Sequence, residues 1–139
     1  MKILIDENTL GYTEPSLRRL RNELARRIDH KIVVHQIQTE SICAGFLIVD
    51  YTVKEAVWSG DGFRTDGGGE GGAGFKSVEA LFTIFNITPF YGEIEAKDKA
   101  YSIAELETIL EKYCGEFEGG DFGDCATTTS KKKAGYVRG

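Results

Sequence analysis

The residues between Glu55 and Leu81 are the part of the chain whose types and spacing could support ligand chemistry. This stretch reads EAVWSGDGFRTDGGGEGGAGFKSVEAL and holds almost half of the 17 glycines in the sequence. Arg64 precedes the densest part of the run, and Lys76 follows it. Glycine lets the backbone adopt positive φ and approach a ligand closely, and the amide groups at a helix N-terminus attract anions. The run therefore predicts a phosphate-binding loop, with a purely structural loop as the alternative.

Two standard phosphate motifs are nearly present in this run. Residues 69–74 match the pattern GxGxxG, but in a dinucleotide-binding fold a strand ends directly before it, and the strand predicted here ends near Phe63. The same glycines followed by Phe75-Lys76-Ser77 approach the pattern GxxxxGK[ST], from which Phe75 departs as one inserted residue. We therefore expect neither a Rossmann site nor a P-loop, and only a more general glycine loop that holds phosphate.

Aromatic side chains on both sides of the run extend this prediction to a nucleotide-binding pocket. A ring can stack a base, and each stack contributes on the order of 1–3 kcal/mol. Arg64 and Lys76 would hold the phosphate charge, and the nearby acidic residues could bind ribose hydroxyls, pair with Arg64 or cap the helix. The predicted ligand-binding residues are Trp58, Asp61, Phe63, Arg64, Gly69, Gly71, Gly72, Gly74, Phe75, Lys76, Phe90 and Tyr91.

The sequence predicts no catalytic residue, no metal site and no cofactor. Its three cysteines form no CxxC or Cys/His pair with metal-ligand spacing, and neither GxSxG nor HExxH occurs. We expect both histidines, His30 and His35, to be structural. Two alternatives to ligand binding stay open: an enzyme that processes a nucleotide with Asp61 or Asp66 as the base, and a protein-interaction module in which the glycines form only a hinge.

A second basic surface is predicted on the first helix. This helix begins at Thr13 and ends near Ile28, and its apolar stripe contains Leu17, Leu20, Leu24 and Ile28. Arginines occupy the opposite face, which is a strong local asymmetry in an acidic protein. Arg18, Arg19 and Arg26 are the predicted basic surface, either solvated or completed across a subunit interface.

The order of the remaining elements predicts an α+β fold with a mostly antiparallel sheet of four to five strands and three helices. The second helix is predicted over 76–86, and the third, with a capping box at Ser102-Ile103-Ala104-Glu105, over 102–113. The predicted strands are Met1–Ile5, Lys31–Thr39, Gly45–Val53, Glu55–Phe63 and Gly92–Ala96. The short link after Val53 predicts that the strands on either side of it form an antiparallel hairpin.

Length and composition predict one ligand-binding domain in residues 1–114, followed by a glycine-rich tail in residues 115–139. The full chain has 139 residues, which suits a single domain. Residues 115–139 are poor in aliphatic side chains, so we consider disorder and a flap that closes on the ligand as alternatives.

The charge balance predicts which partners the protein does not have. A net charge of −5 argues against broad binding to long nucleic acid or to an anionic membrane surface, because both require basic surface. The N-terminal apolar stretch is too short for a signal peptide, and no apolar run is long enough to span a bilayer. We expect a cytoplasmic protein, and the three scattered cysteines fit a reducing compartment.

In its small size, acidic composition and α+β order, and in the loop GDGFRTDGGGEGGAGF before a helix, the chain resembles the sponge-type Thoeris anti-defence proteins of phages. Proteins of that family sequester cyclic ADP-ribose-type signals made by bacterial TIR enzymes, and some also capture cyclic oligonucleotides. They form homo-oligomers and bind the ligand without cleaving it. Over residues 1–113 the resemblance implies a protein of the host cytoplasm that binds a small cyclic nucleotide. No individual ligand contact is transferred from the family.

Overall fold

Three α-helices and a six-stranded sheet form the α+β fold that the sequence predicts. The computed structural model describes residues 1–39, 42–94 and 101–115. The strands are β1 (Lys2–Ile5), β2 (Ile32–Gln38), β3 (Cys43–Asp50), β4 (Glu55–Trp58), β5 (Phe63–Arg64) and β6 (Phe90–Glu93). The helices are α1 (Thr13–Arg26), α2 (Gly69–Phe85) and α3 (Ile103–Leu110). The predicted tail falls almost entirely outside the described residues, as do Glu95 and Ala96 of the last predicted strand.

The sheet is mixed, which corrects the expectation of a mostly antiparallel sheet with four to five strands. Its order is β1-β4-β3-β2-β6, and β5 pairs with β3 beside the end of β4. β3 is antiparallel to its neighbours, and the predicted β3–β4 hairpin is confirmed. The pairs β1–β4 and β2–β6 are parallel. They are parallel because α1 and α2 each carry the chain back across the sheet before the next strand begins.

Five strands end at the same edge of the sheet as a result of these pairings. β1, β2, β4, β5 and β6 run in one direction, and β3 runs against them. We call this edge, with the loops 6–12 and 59–68 and the end of β2 at Thr39, the carboxyl edge. Both α1 and α2 begin at it, so two helix N-termini with their partial positive charge lie on the same side of the molecule.

The first face of the sheet is covered by α1 and α2. Leu20 and Leu24, one helical turn apart, are fully buried against this face. α1 ends at Arg26, so the predicted extension to Ile28 is wrong, and the Ile28 side chain is 54% exposed. The buried cluster on this face consists of Leu20, Leu24, Ile32, Val34, Phe46, Ile48, Phe63, Val78, Phe82 and Ile87.

The second face of the sheet is covered by α3. The predicted capping box is present, because the Ser102 hydroxyl accepts from the Glu105 amide and the Glu105 carboxylate accepts from the Ser102 amide. The buried cluster on this face consists of Ile3, Ile37, Leu47, Val49, Ala56, Trp58, Ile94, Leu106 and Leu110. The side chains of β2 alternate between the two faces, since Val34 and Ile37 belong to clusters on opposite faces.

Candidate ligand site at the carboxyl edge

The glycine run is largely helix rather than loop. α2 begins at Gly69, seven residues before the predicted start at Lys76. Its N-cap is Gly68, and Gly67 and Gly69 have φ of 81° and 59°, a region that glycine enters without steric cost. The predicted strand-to-helix connection is therefore confined to the few residues between Arg64 and Gly69.

Close packing accounts for three glycines in the first turns of α2. Gly71, Gly72 and Gly74 are buried in the first turns of α2. A methyl group added at these three positions would lie 2.7 Å from Cγ of Arg64, 2.2 Å from the carbonyl carbon of Gly67 and 2.4 Å from Cγ2 of Thr13, respectively. All three distances are shorter than a non-bonded carbon contact allows, so only glycine lets α2 approach β5 and α1 this closely.

The Asp66 carboxylate is held at the start of α2 by groups that could also bind an external anion. The Arg64 guanidinium donates to both carboxylate oxygens of Asp66, at 3.1 Å from Nε and 2.6 Å from Nη2. The Gly68 amide donates to the same carboxylate at 3.0 Å. The hydrogen bond from Arg64, followed by that from the Gly68 amide, lowers the pKa of Asp66, and the Asp66 partner raises the pKa of Arg64. Both side chains are 39% exposed, so solvent reaches this anion site.

The first turn of α2 has amide groups that its cap does not satisfy. Glycine at the N-cap supplies no side-chain acceptor, whereas serine or aspartate would accept one of these hydrogen bonds. The first intrahelical bond of the segment runs from the Gly72 amide to the Gly68 carbonyl at 2.8 Å. The amides of residues 69–71, together with the helix dipole, therefore favour an additional negative charge beside Asp66.

Asp61 holds loops together at the carboxyl edge. Its carboxylate accepts from the Gly11 amide at 2.8 Å and from the Thr39 hydroxyl at 3.3 Å. Thr13 adds a second link by donating to the Gly62 carbonyl. The chain thereby ties the loop after β1 to the loop after β4, so Asp61 is a positioning residue in this structure.

The predicted stacking aromatics are dispersed rather than gathered around the α2 N-terminus. Trp58 and Phe63 are fully buried on opposite faces of the sheet, so neither ring has exposed surface on which a base could stack. The Phe75 ring is stacked on Phe46 with centroids 6.2 Å apart, within the core beneath α2. Tyr91, on edge strand β6, is 46% exposed.

Phe90 and Lys76 also lie apart from the anion site. The Phe90 ring lies 5.9 Å from the His35 ring on the face that α3 covers. Lys76 is exposed on α2. Tyr12, which was not among the predicted aromatics, is the N-cap of α1 and is 64% exposed.

The arginines predicted as a second basic surface are neutralised or used within the fold. Arg18 pairs with Glu14 at 3.0 Å, and Arg26 pairs with Glu23 at 3.0 Å. The Arg19 guanidinium donates to backbone carbonyls, that of Trp58 at 3.0 Å and that of Leu4 at 3.3 Å. Arg19 therefore joins α1 to strands β1 and β4 rather than facing an anion.

A buried ion-pair network at the opposite edge of the sheet was not predicted. Arg27, which is 2% exposed, contacts three carboxylates: Asp50 at 2.6 Å, Glu55 at 2.6 Å and Glu23 at 2.8 Å. His30 Nδ1 lies 2.6 Å from the Asp50 carboxylate. Burial alone would lower the pKa of Arg27, but hydrogen bonds to Glu55, Glu23 and Asp50 raise it above its ordinary value.

Metal chemistry has no visible basis in the described part of the chain. Within residues 1–39, 42–94 and 101–115, no three His, Cys, Asp or Glu side chains are grouped so that they could hold a metal ion.

None of the helices described there has the length and apolar character needed to cross a membrane.

Comparisons with protein-family profiles, with curated proteins and with solved structures found no match for this chain. Proposals about its function therefore depend on the geometry of the carboxyl edge and on the sequence.

Proposed function

We propose that this protein binds a small nucleotide through its phosphate at the carboxyl edge and sequesters it without cleaving it. The observation that carries the proposal is the Asp66 carboxylate, which two guanidinium nitrogens of Arg64 and the Gly68 amide hold at the start of α2. A planar guanidinium binds phosphate with the same bidentate geometry that it uses for carboxylate. A phosphate would displace Asp66 and gain the uncapped amides of the first turn.

The proposed ligand class is a cyclic ADP-ribose isomer, with cyclic oligonucleotides as a further possibility. This class follows from the resemblance to the sponge-type Thoeris anti-defence proteins, and with it we propose a homo-oligomer in the host cytoplasm. Two exposed rings, Tyr12 and Tyr91, could stack a base. Binding without cleavage follows from the same resemblance.

Calorimetric titration with cyclic ADP-ribose isomers, ADP-ribose and cyclic oligonucleotides tests the proposal. We expect Arg64→Gln to weaken binding about tenfold or more, because it removes a charge-assisted bidentate contact. Asp66→Asn is expected to strengthen binding, because the protein's own anion no longer competes. Arg18→Gln is the matched control, because Arg18 is a surface arginine of α1 that pairs with Glu14, and the affinity of this variant should equal that of the unchanged protein.

The state of the ligand after binding distinguishes sequestration from catalysis. The complex is denatured by heat, and the released ligand is analysed by mass spectrometry. Sequestration predicts recovery of the original mass, whereas a changed mass would favour the alternative of a nucleotide-processing enzyme. Failure of every ligand in the panel to bind would overturn the proposed function.

A further inference from the structure

We propose that Tyr12 stacks the base of the nucleotide whose phosphate Arg64 binds, an inference that rests on the proposed function. The Tyr12 side chain is 64% exposed and belongs to neither hydrophobic cluster of the described residues. It also makes no capping hydrogen bond to α1. An aromatic face stacks any base, so an accessible ring close to a phosphate site can bind the rest of a nucleotide.

The backbone of Tyr12 holds this ring in a fixed place at the carboxyl edge. Its amide donates to the Thr9 carbonyl at 3.2 Å, and its carbonyl accepts from the Ser16 amide at 3.2 Å. The preceding amide, that of Gly11, donates to the Asp61 carboxylate at 2.8 Å. Because this backbone is already ordered, little conformational entropy is lost when a ligand stacks on the ring.

Tyr12 lies close to Arg64 because the loop after β4 packs directly against it. A methyl group added at Gly62 would overlap the carbonyl group of Tyr12, so the two backbones are in contact. Gly62 precedes Arg64 by two residues, which span at most about 7 Å. From this spacing and standard bond lengths, the Cα atoms of Tyr12 and Arg64 lie within about 13 Å of each other.

The packing of α2 also places these two residues together. Its buried glycines Gly71 and Gly74 are three residues apart, so they lie on one side of the helix and about 4.5 Å apart along its axis. Gly71 packs against the Arg64 side chain. Gly74 packs against the side chain of Thr13, the residue after Tyr12. A phosphate on Arg64 and a base on Tyr12 can therefore belong to one nucleotide.

Tyr91, although it is 46% exposed, lies further from Arg64 than Tyr12 does. Three strand spacings separate β6 from β5, and the register places Tyr91 three residues away from Arg64 along the sheet. At about 4.8 Å per strand and about 3.4 Å per residue, the separation is about 17 Å. Tyr91 therefore serves as the matched control for Tyr12.

Calorimetric titrations with cyclic ADP-ribose, adenosine 5′-monophosphate and ribose 5-phosphate test the inference, because the last of these probes lacks a base. We expect Tyr12→Leu to weaken binding of both adenine ligands about tenfold and to leave the affinity for ribose 5-phosphate unchanged. Tyr12→Phe keeps the ring and should keep the affinity of the unchanged protein. Tyr91→Leu should bind all three probes as the unchanged protein does.

Two further measurements separate stacking from an effect on the fold. The H2 and H8 resonances of adenine should shift upfield when adenosine 5′-monophosphate binds to the unchanged protein or to Tyr12→Phe, because a stacked ring shields them. This shift should be absent with Tyr12→Leu. The unfolding temperature of Tyr12→Leu should equal that of the unchanged protein, since the side chain is exposed.

Three outcomes would overturn the inference. In the first, Arg64→Gln weakens binding of the adenine ligands and Tyr12→Leu does not. In the second, Tyr12→Leu weakens ribose 5-phosphate as much as the adenine ligands, which would show that Tyr12 only shapes the loop. In both cases the proposed function stands while the role of Tyr12 fails. In the third, none of the three probes binds to the unchanged protein, and both proposals fail together.

Discussion

Arg27 illustrates how a buried charge depends on every partner around it. It connects the end of α1 to β3 and β4 through Asp50 and Glu55, both of which start or end a strand at the same edge. Taking charges out of water is costly, so the attraction within the network offsets this cost only while all partners are present. Such a residue fixes the position of α1 on the sheet rather than adding surplus stability.

Replacing Arg27 with methionine is expected to destabilise the protein by about 3–5 kcal/mol, because it leaves the Asp50 carboxylate buried and without its guanidinium partner. The measurement is the free energy of unfolding in urea. Arg26→Met is the matched control, since Arg26 is the adjacent arginine, its side chain is 67% exposed and it shares the Glu23 partner. This control should change stability by no more than about 0.5 kcal/mol. Equal effects of the two substitutions would contradict the role assigned to Arg27.

Asp50 contributes to the loss of folding stability at acid pH. Burial alone would raise its pKa, but hydrogen bonds from His30, from Arg27 and from the amides of Val53 and Thr52 lower it below the ordinary value. The pKa of Asp50 is lower in the folded than in the unfolded state. The stabilisation that its carboxylate contributes is therefore complete above the unfolded-state pKa of 3.8 and is lost as pH falls through the folded-state pKa. Asp50→Asn should therefore lower stability at pH 7 and flatten the acid limb below about pH 4 in urea titrations.

His35 predicts a separate loss of stability at a higher pH. Burial lowers its pKa from 6.5 to about 4, since its ring packs 5.1 Å from Tyr113 and 5.9 Å from Phe90. The fold favours the neutral ring, whereas the unfolded chain takes up a proton below pH 6.5. The free energy of unfolding is therefore highest above pH 6.5 and falls as pH falls toward 4. Over that interval the loss should be on the order of 2–3 kcal/mol. His35→Phe should abolish this part of the pH dependence, and an NMR titration of His35 with a midpoint near 6.5 would contradict the assignment.

At the scale of elements, the glycines of α2 set how closely this helix approaches its neighbours. Gly74→Ala should destabilise the protein by about 1–3 kcal/mol, because the new methyl group would overlap Cγ2 of Thr13. Thr13→Ser removes that methyl group and keeps the hydroxyl that donates to Gly62. In the Thr13→Ser background, Gly74→Ala should therefore lower the free energy of unfolding much less than it does in the unchanged protein. Additive effects of the two substitutions in urea unfolding would rule out this contact as the reason for glycine.

The elements that sequence predicts well are those with a local signal. The capping box at Ser102 and the hairpin predicted from the short link after Val53 depend only on neighbouring residues, and both are confirmed. The start of α2 was predicted too late, because glycine has low helix propensity and its real role, close packing against Arg64 and Thr13, depends on distant parts of the chain.

The candidate site was predictable only in part for the same reason. The charge of Arg64 and the presence of a helix after it could be read from the sequence, but Trp58 and Phe63 could not be recognised as buried until the sheet pairing was known. In the sequence, Arg27 is one of several arginines of the predicted first helix, and its partner Asp50 lies in another element.

At the scale of the whole molecule, the described residues form two hydrophobic clusters, one on each face of the sheet. Their members come from strands and helices within 1–94 and from α3, which ends at Leu110, and the Tyr51 hydroxyl donates to the carbonyl of Gly115 at 2.8 Å. Residues 116–139 are poor in aliphatic side chains, so a chain ended after Gly115 should unfold cooperatively in urea, with a free energy within about 1 kcal/mol of that of the full chain. A broad, non-cooperative transition would show that residues 116–139 complete the core.

The two parallel strand pairs have a consequence for the order of folding. β2, β3 and β4 follow one another and pair with their neighbours in sequence. The parallel pairs join distant residues, Lys2 with Glu55 and His35 with Phe90. Contacts between distant residues form slowly, because a long loop must close before they contribute. The β2–β3–β4 meander is therefore the expected folding nucleus. During synthesis β1 leaves the ribosome first, but it cannot pair until β4 has been made. The backbone and apolar side chains of β1 are therefore exposed until about half of the domain has emerged.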